Sequence, residues 1–257
     1  MTSVLQLLGM PEAAANHAKG IDELILYVHL LMAALFVGWL GYFLYVIFRF
    51  RKGANPKADY VGARSHTSTY LEIGVAGVEA VLLIGLAVPL WAKAVDNPPK
   101  PEEKPVEVQV MAQQFAWAAH FPGVDNQWGK QDVKFADRSN PFGLDINGDP
   151  AAKDDVAVVT EAFLLPVNRP VIALISSMDV IHCFKVPSMR VTQDAIPGLS
   201  IPVHFTPNKI GDYTITCAQL CGNGHSSMKG VFKVVSQEDY DKWYAEKSKA
   251  GGGGSFE

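Results

Sequence analysis

The chain has 257 residues, of which 49% are hydrophobic, and a formal net charge of −4. Basic residues are slightly outnumbered and scattered rather than arranged along one face, which argues against a nucleic-acid partner. Three cysteines are too few for a disulfide-rich scaffold in a chain of this length. The length allows one large domain, or membrane segments followed by a smaller soluble domain.

Two long apolar runs near the N-terminus predict a transmembrane hairpin. Residues 24–48 carry no formal charge, and residues 71–91 form a second run that includes Glu72 and Glu79. Each run is about as long as a helix that crosses a bilayer. Buried helices of a soluble domain are the alternative, but the runs lie close together and both end in aromatic residues suited to a membrane interface. We therefore expect an N-terminal segment, 1–23, and a hairpin, 24–92.

The loop between the two runs is strongly basic. Its charged residues are Arg49, Arg51, Lys52, Lys57, Asp59 and Arg64. The positive-inside rule places this loop in the cytoplasm, so that both termini face outward. The first twenty residues lack a basic stretch followed by an apolar core, so the first run is expected to act as its own insertion signal. His29 inside that run is expected to face a neighbouring helix.

A proline-rich, charged linker, 93–105, is expected to run extended and to precede an all-β domain, 106–236. The β-like runs are VEVQVMAQ, VAVVTEAFLLPV, RPVIALISS, SIPVHFT, GDYTITC and GVFKVV. Short strands separated by turn residues favour a β-sandwich or barrel. Residues 123–155 lack apolar periodicity and are rich in Gly, Asn and Asp, which predicts an insertion with an acidic surface. A C-terminal segment, 237–257, ends in a flexible glycine-rich sequence at 251–255.

The sequence CAQLCGNGHSSM, residues 217–228, concentrates metal ligands in one loop. Cys217, Cys221, His225 and Met228 offer two thiolates, an imidazole and a thioether. Thiolate with imidazole suits zinc or copper, but thioether is a weak zinc ligand and a known axial ligand of copper. The set favours copper, particularly two ions that share both thiolates. A Cys217–Cys221 disulfide is the alternative, and it would leave the histidine and the methionine unexplained.

A second candidate ligand lies upstream in MDVIHCFKVPSM, residues 178–189. His182 follows a β-like run, so a strand end could carry it to the cysteine loop. Cys183 is expected to be a small buried hydrophobic residue. Strand alternation turns neighbouring side chains to opposite faces, so His182 and Cys183 are not expected to bind one metal together.

Together these features resemble the second subunit of the haem–copper cytochrome c oxidases. The resemblance rests on the N-terminal hairpin, the proline-rich connection, DVIHCFKVPSMRVTQDAIPG and CAQLCGNGHSSM. It implies a two-helix transmembrane hairpin followed by a cupredoxin-like sandwich or barrel that carries a binuclear copper A centre. The implied copper ligands are His182, Cys217, the backbone carbonyl of Gln219, Cys221, His225 and Met228.

Several positions depart from the family pattern. The family usually has glutamate at position 219, where it helps to hold magnesium or manganese at the contact with the catalytic subunit. The neutral amide of Gln219 is a poorer ligand for a hard cation, which weakens the case for that ion. The segment AQQFAW resembles the aromatic patch where electrons enter, with Phe115 in place of the usual tryptophan and Trp117 close by. Plain β-sheet packing is the alternative for both rings.

Three acidic residues acquire expected roles from the resemblance. Glu72 matches a glutamate at the cytoplasmic mouth of a proton pathway, although a carboxylate near a helix end can also simply reach water. Glu79 replaces a usual proline and is expected to face a protein partner or to be protonated. Asp179 matches an acidic residue near the docking surface for cytochrome c, a basic protein.

The implied function is electron acceptance in a terminal respiratory oxidase, from a c-type cytochrome to haem in catalytic subunit 1. The resemblance implies a multi-pass protein of the bacterial inner membrane, rather than the mitochondrial one, with the copper domain in the periplasm. A copper A subunit of a nitric oxide reductase is an alternative. A membrane-tethered copper carrier is another, but a carrier needs exchangeable ligands rather than six donors with a weak axial methionine.

Overall fold

The computed structural model describes residues 4–57, 60–62 and 64–250. The described residues of Gly20–Lys93 form one unit, and those of Met1–Lys19 and Ala94–Glu257 together form a second. Two long apolar helices are followed by a domain of two β-sheets, which confirms the predicted fold class. The predicted glycine-rich tail and Asp59 of the basic loop lie outside the described residues.

The first unit contains two apolar helices. A short helix α1 (Val4–Leu7), which belongs to the second unit, precedes them. The first apolar helix, α2, runs over Ala18–Phe50, and the second consists of α3 (Thr67–Ala80), a π-helical stretch Val81–Ala87 and α4 (Val88–Val95). Both are long and apolar enough to cross a membrane, and their most apolar windows are 0% buried within the chain. That exposure argues against core helices of a soluble protein, which would be covered. The second helix continues into the predicted linker, where Pro101–Glu103 form a 3₁₀ turn rather than extended chain.

The described part of the second unit contains ten strands in two five-stranded sheets. The strands are β1 (Val106–Gln113), β2 (Ala116–Phe121), β3 (Val156–Val159), β4 (Phe163–Pro166), β5 (Val171–Ser177), β6 (His182–Val186), β7 (Val191–Ala195), β8 (Ile201–Phe205), β9 (Gly211–Cys217) and β10 (Lys229–Val235). The first sheet has the order β3-β2-β1-β5-β8 and the second β4-β10-β9-β6-β7. Buried aromatic rings fill the space between them, including Phe163 and Phe232, whose ring centroids are 5.6 Å apart.

The predicted strand pattern needs two corrections. The run VAVVTEAFLLPV is not one strand: β3 belongs to the first sheet and β4 to the second. Thr160 between them has a φ of 63°, a left-handed conformation that ends the extended chain. The strands β2, β6 and β7 were not among the predicted runs, since they are short and β2 is rich in alanine, which has a low strand propensity.

The segment before α2 packs onto the β-domain. Ala14 and Ala15 of this segment, and Ala18 at the start of α2, are buried in the core cluster of that domain. The amide of Ala14 donates to the carbonyl of Ser188 at 2.8 Å, and its carbonyl accepts from the amide of Asn208 at 2.9 Å. Because this segment and the β-domain form one unit, they lie on the same side of any membrane that the hairpin crosses.

The predicted insertion, 123–155, is organised around a buried His120–Asp155 pair. Asp155 accepts from His120 Nε2 at 2.8 Å and from the amides of Gly123 and Gly129, both at 2.9 Å. Both members of the pair are 0% exposed. The ring centroid of Trp128 lies 5.0 Å from that of His120. A carboxylate at the end of the insertion thus holds its beginning against β2.

Candidate metal centre

The second sheet brings the two predicted ligand segments together. His182 is the first residue of β6, and Cys217 is the last residue of β9. These strands are antiparallel neighbours, with Phe184 opposite Cys217. The start of β6 and the end of β9 therefore meet at one edge of the sheet. The remaining candidates lie in the loop between β9 and β10, which returns to the same edge.

Six donor atoms converge at this edge. The sulfurs of Cys217 and Cys221 are 3.8 Å apart. His182 Nδ1 lies 3.8 Å from the Cys217 sulfur, and the Gln219 carbonyl oxygen lies 3.1 Å from it. The remaining two donors face the Cys221 sulfur. They are His225 Nδ1 at 3.7 Å and Met228 Sδ at 3.8 Å.

The donor set fits a soft metal rather than a disulfide. All three cysteines are free, and 3.8 Å between sulfurs is far longer than the disulfide bond length of about 2.05 Å. Metal–sulfur bonds of about 2.3 Å and metal–nitrogen bonds of about 2.0–2.1 Å separate two donors of one ion by roughly 3.5–3.9 Å at tetrahedral to trigonal angles. The observed sulfur–nitrogen and sulfur–sulfur separations lie in that range. Thiolates, imidazoles and a thioether together suit copper.

Burial raises the pKa of the Cys221 thiol to about 11, and the neighbouring Cys217 sulfur adds to the shift. The metal-free thiol is therefore protonated at neutral pH. Since the thiolate is the metal ligand, binding a metal here releases this proton.

Two glycines let the turn between β1 and β2 lie directly on the ligand loop. Gly222 has a φ of +133°, which disfavours any residue with a side chain. A Cβ at Gly224 would lie 2.4 Å from a ring carbon of Phe115. The ring of Phe115 therefore covers the loop at van der Waals distance, and a larger residue at Gly224 would displace it.

Asp179 fixes the orientation of the upstream histidine. Its Oδ1 accepts from His182 Nε2 at 2.9 Å, which leaves Nδ1 on the side of the cysteine sulfurs. Burial alone would raise the pKa of the Asp179 carboxyl, but hydrogen bonds from His182 and from the amides of Gln114 and Val180 hold it below its usual value. Asp179 is also exposed, so its expected place near a docking surface stays a prediction beside this contact with a candidate ligand.

Cys183 faces away from the candidate centre. It is 4% exposed and interacts with Asp194. Burial first, and then the Asp194 carboxylate, raise the pKa of its thiol to about 11. Its neighbour His182 points toward the cysteine loop, as strand alternation predicts.

The two predicted aromatic residues occupy different positions. Phe115 is 40% exposed and lies over the ligand loop. Trp117 is only 4% exposed, and its ring meets that of His182 edge-on with centroids 6.2 Å apart. Of the two, Phe115 alone offers substantial surface to an approaching partner, while Trp117 packs behind the ligand.

The membrane-helix candidates belong to the other unit. Glu72 and Glu79 are exposed on α3 and lie seven residues apart, about two helical turns, so they share one face. His29 in α2 donates from Nδ1 to the carbonyl of Ile25, one turn earlier, at 2.8 Å. This hydrogen bond satisfies one ring nitrogen within the helix, and the expected position of His29 against a neighbouring helix stays a prediction.

The sequence analysis did not identify the contacts that Gln114 and Asp179 make with the candidate ligands. Gln114 donates from its side-chain amide to the carbonyl of Cys221 at 2.6 Å. Its backbone amide donates to Asp179 at 2.7 Å. For Asp179, the spacing Asp-x-x-His was an available signal, because ligand histidines usually donate their second ring nitrogen to a carboxylate or carbonyl. For Gln114 there was no local signal, since its partners are 65 and 107 residues away.

Comparison with known proteins gives consistent matches. A family model described as cytochrome c oxidase subunit II, periplasmic domain, matches residues 106–235. The alternative cytochrome c oxidase subunit 2 of Bradyrhizobium diazoefficiens is 31% identical over 233 residues, 90% of this chain and 82% of that protein. Cytochrome c oxidase subunit 2 of Synechocystis sp. is 28% identical over 257 residues, 94% of this chain and 76% of that protein. The crystal structure of the periplasmic domain of subunit II of the Bradyrhizobium japonicum cytochrome oxidase aligns with a TM-score of 0.41 and 23% identity, covering 56% of this chain and 94% of that one.

Proposed function

Since the chain belongs to the cytochrome c oxidase subunit II family, we propose that it is the electron-accepting subunit of a terminal respiratory oxidase. It is a subunit of an enzyme, and the oxygen chemistry belongs to a partner. The candidate ligands would hold a binuclear copper A centre, which would supply one-electron transfer between a c-type cytochrome and haem in the catalytic subunit, where oxygen is reduced to water.

The convergence of six donor atoms from two distant segments carries this proposal. The residues assigned to the copper pair are His182, Cys217, Gln219 through its carbonyl, Cys221, His225 and Met228. The ligands are attached to strand ends and a short loop of a rigid sandwich. This framework limits how far the ligands move when an electron arrives. Gln219 presents a neutral amide, so no magnesium or manganese ion is included in the proposal.

Other features of the chain support the proposed partners and location. Two helices of membrane-spanning length are connected by a basic loop. The segment before the first of them packs on the β-domain. We assign the hairpin to a bacterial inner membrane and to contact with catalytic subunit 1, with the β-domain in the periplasm. Glu72, on the α3 face that it shares with Glu79, is assigned to the mouth of a proton pathway at that contact.

Phe115 is the proposed point where electrons enter. In the Phe115→Ala variant we expect the complex to oxidise reduced c-type cytochrome about tenfold more slowly, which corresponds to about 1.4 kcal/mol in activation free energy. Stopped-flow absorbance of the donor haem measures this rate. The control is Phe135→Ala, which removes another partly exposed phenylalanine (37% exposed) from the insertion and should leave the rate unchanged. Equal rates in all three proteins would exclude Phe115 from this role.

The function is tested on the complex that purifies with this chain. We expect oxygen uptake driven by reduced c-type cytochrome, and loss of that uptake and of the copper colour in His225→Ala while the domain stays folded. Uptake of nitric oxide with no uptake of oxygen would instead identify a reductase. A single, readily exchanged copper ion would identify a carrier, and normal colour in His225→Ala would reject the ligand assignment.

A further inference from the structure

We propose that Gln114 is a positioning residue that ties the two ligand segments of the copper site together across the β-sandwich. The inference rests on the proposed function, because it assumes that His182 and the 217–228 loop hold copper. It adds a role for a residue that is not itself a ligand.

Gln114 reaches His182 through its backbone. It lies in the turn between β1 and β2 of the first sheet, whereas both ligand segments belong to the second sheet. Its amide donates to Asp179 Oδ2 at 2.7 Å, and Asp179 Oδ1 accepts from His182 Nε2 at 2.9 Å. This chain of two hydrogen bonds leaves His182 Nδ1 facing the Cys217 sulfur.

Gln114 reaches the ligand loop through its side chain. Its Nε2 donates to the Cys221 carbonyl at 2.6 Å. A Cβ on the next residue, Gly222, would lie 2.9 Å from this nitrogen, so the glycine permits the approach. The hydrogen bond holds the peptide of the cysteine whose sulfur faces Cys217, His225 and Met228.

The two connections have different sensitivities to mutation. Every substitution of Gln114 except proline keeps the backbone amide and therefore the link to Asp179 and His182. Replacing the side chain removes only the link to the Cys221 carbonyl. Without it, the ligand loop keeps its packing against Phe115 but loses its hydrogen bond to the first sheet, and its cysteine can move more when copper is bound, oxidised or released. Residues that support metal ligands in this way affect both metal retention and the electronic character of the site.

The test compares copper-loaded full-length chains in detergent. Gln114→Glu keeps the length of the side chain but presents a carboxylate that cannot donate to the carbonyl, and Gln114→Ala removes the group. With ascorbate present to reduce both ions to the cuprous state, we expect both variants to transfer copper to a competing cuprous chelator about 10- to 100-fold faster than the wild type. We also expect shifted visible absorption bands and altered copper hyperfine splitting, which a purely structural loss of stability would not produce.

Gln113→Ala is the matched control. The Gln113 side chain, one residue away and buried, donates to the carbonyl of Arg138 in the insertion at 3.2 Å instead. This variant should release copper at the wild-type rate with an unchanged spectrum. Wild-type release rates and spectra in the Gln114 variants, or equally fast release in Gln113→Ala, would overturn the inference while leaving the copper assignment intact. If the wild-type chain itself bound no copper pair, the proposed function would fail, and the inference with it.

Discussion

Replacing Cys221 with serine is expected to abolish retention of the copper pair. The Cys221 sulfur lies within 3.8 Å of the Cys217 sulfur, His225 Nδ1 and Met228 Sδ, so three candidate donors face it, as many as face the Cys217 sulfur. A hydroxyl is a hard, poor ligand for copper. We expect copper affinity to fall by more than about 100-fold, the upper end of the loss caused by removing a supporting partner. Metal analysis and visible absorption of the purified chain measure the effect.

Cys183→Ser provides the control for this experiment. The same substitution is made at another buried cysteine, which is 4% exposed and interacts with Asp194 on the opposite face of β6. Copper content and colour should match the wild type. Normal copper content in Cys221→Ser, or an equal loss in Cys183→Ser, would show that the copper does not depend on the proposed thiolate.

The second large effect, a loss of unfolding free energy, is expected when Asp155, which holds the insertion against β2, is replaced. Asp155→Ala leaves His120 Nε2 and the amides of Gly123 and Gly129 buried without their acceptor. A buried hydrogen-bonding group left without its partner costs about 1–3 kcal/mol of unfolding free energy, and this substitution leaves three such groups. We expect earlier unfolding of the β-domain in urea, measured by near-ultraviolet circular dichroism. We also expect faster proteolysis within 123–155.

The neighbouring residue Asp154 provides the control for Asp155→Ala. Asp154 is only partly buried and accepts one longer hydrogen bond, from the amide of Asp125 at 3.3 Å. Asp154→Ala should therefore change the unfolding free energy by no more than about 1 kcal/mol. If Asp155→Ala unfolded at the same urea concentration as Asp154→Ala, the buried pair would not be what holds the insertion.

Much of the architecture could be predicted because its signals are local. Uncharged runs of membrane-spanning length identified the hairpin, and alternating apolar residues identified β1 with its observed bounds, Val106–Gln113. The cysteine loop was recognisable because its candidate ligands lie within twelve residues, and His182 because it follows a β-like run and fits the wider resemblance. That resemblance is confirmed by the family match over 106–235.

The remaining features depend on contacts between residues that are distant in sequence. His120 and Asp155 are 35 residues apart, so no local periodicity in the sequence predicts their pairing. The break between β3 and β4 depends on which sheet each strand joins, which a continuous apolar run does not reveal. The links of Gln114 cross from one sheet to the other, and only the folded chain brings them together.

The most direct test is the copper-to-chain ratio of the purified wild-type protein, measured together with its electron paramagnetic resonance spectrum. We expect two copper ions per chain and the hyperfine pattern of one unpaired electron shared equally between two copper nuclei. One copper per chain, or an electron confined to a single nucleus, would contradict a binuclear site built from the two cysteines.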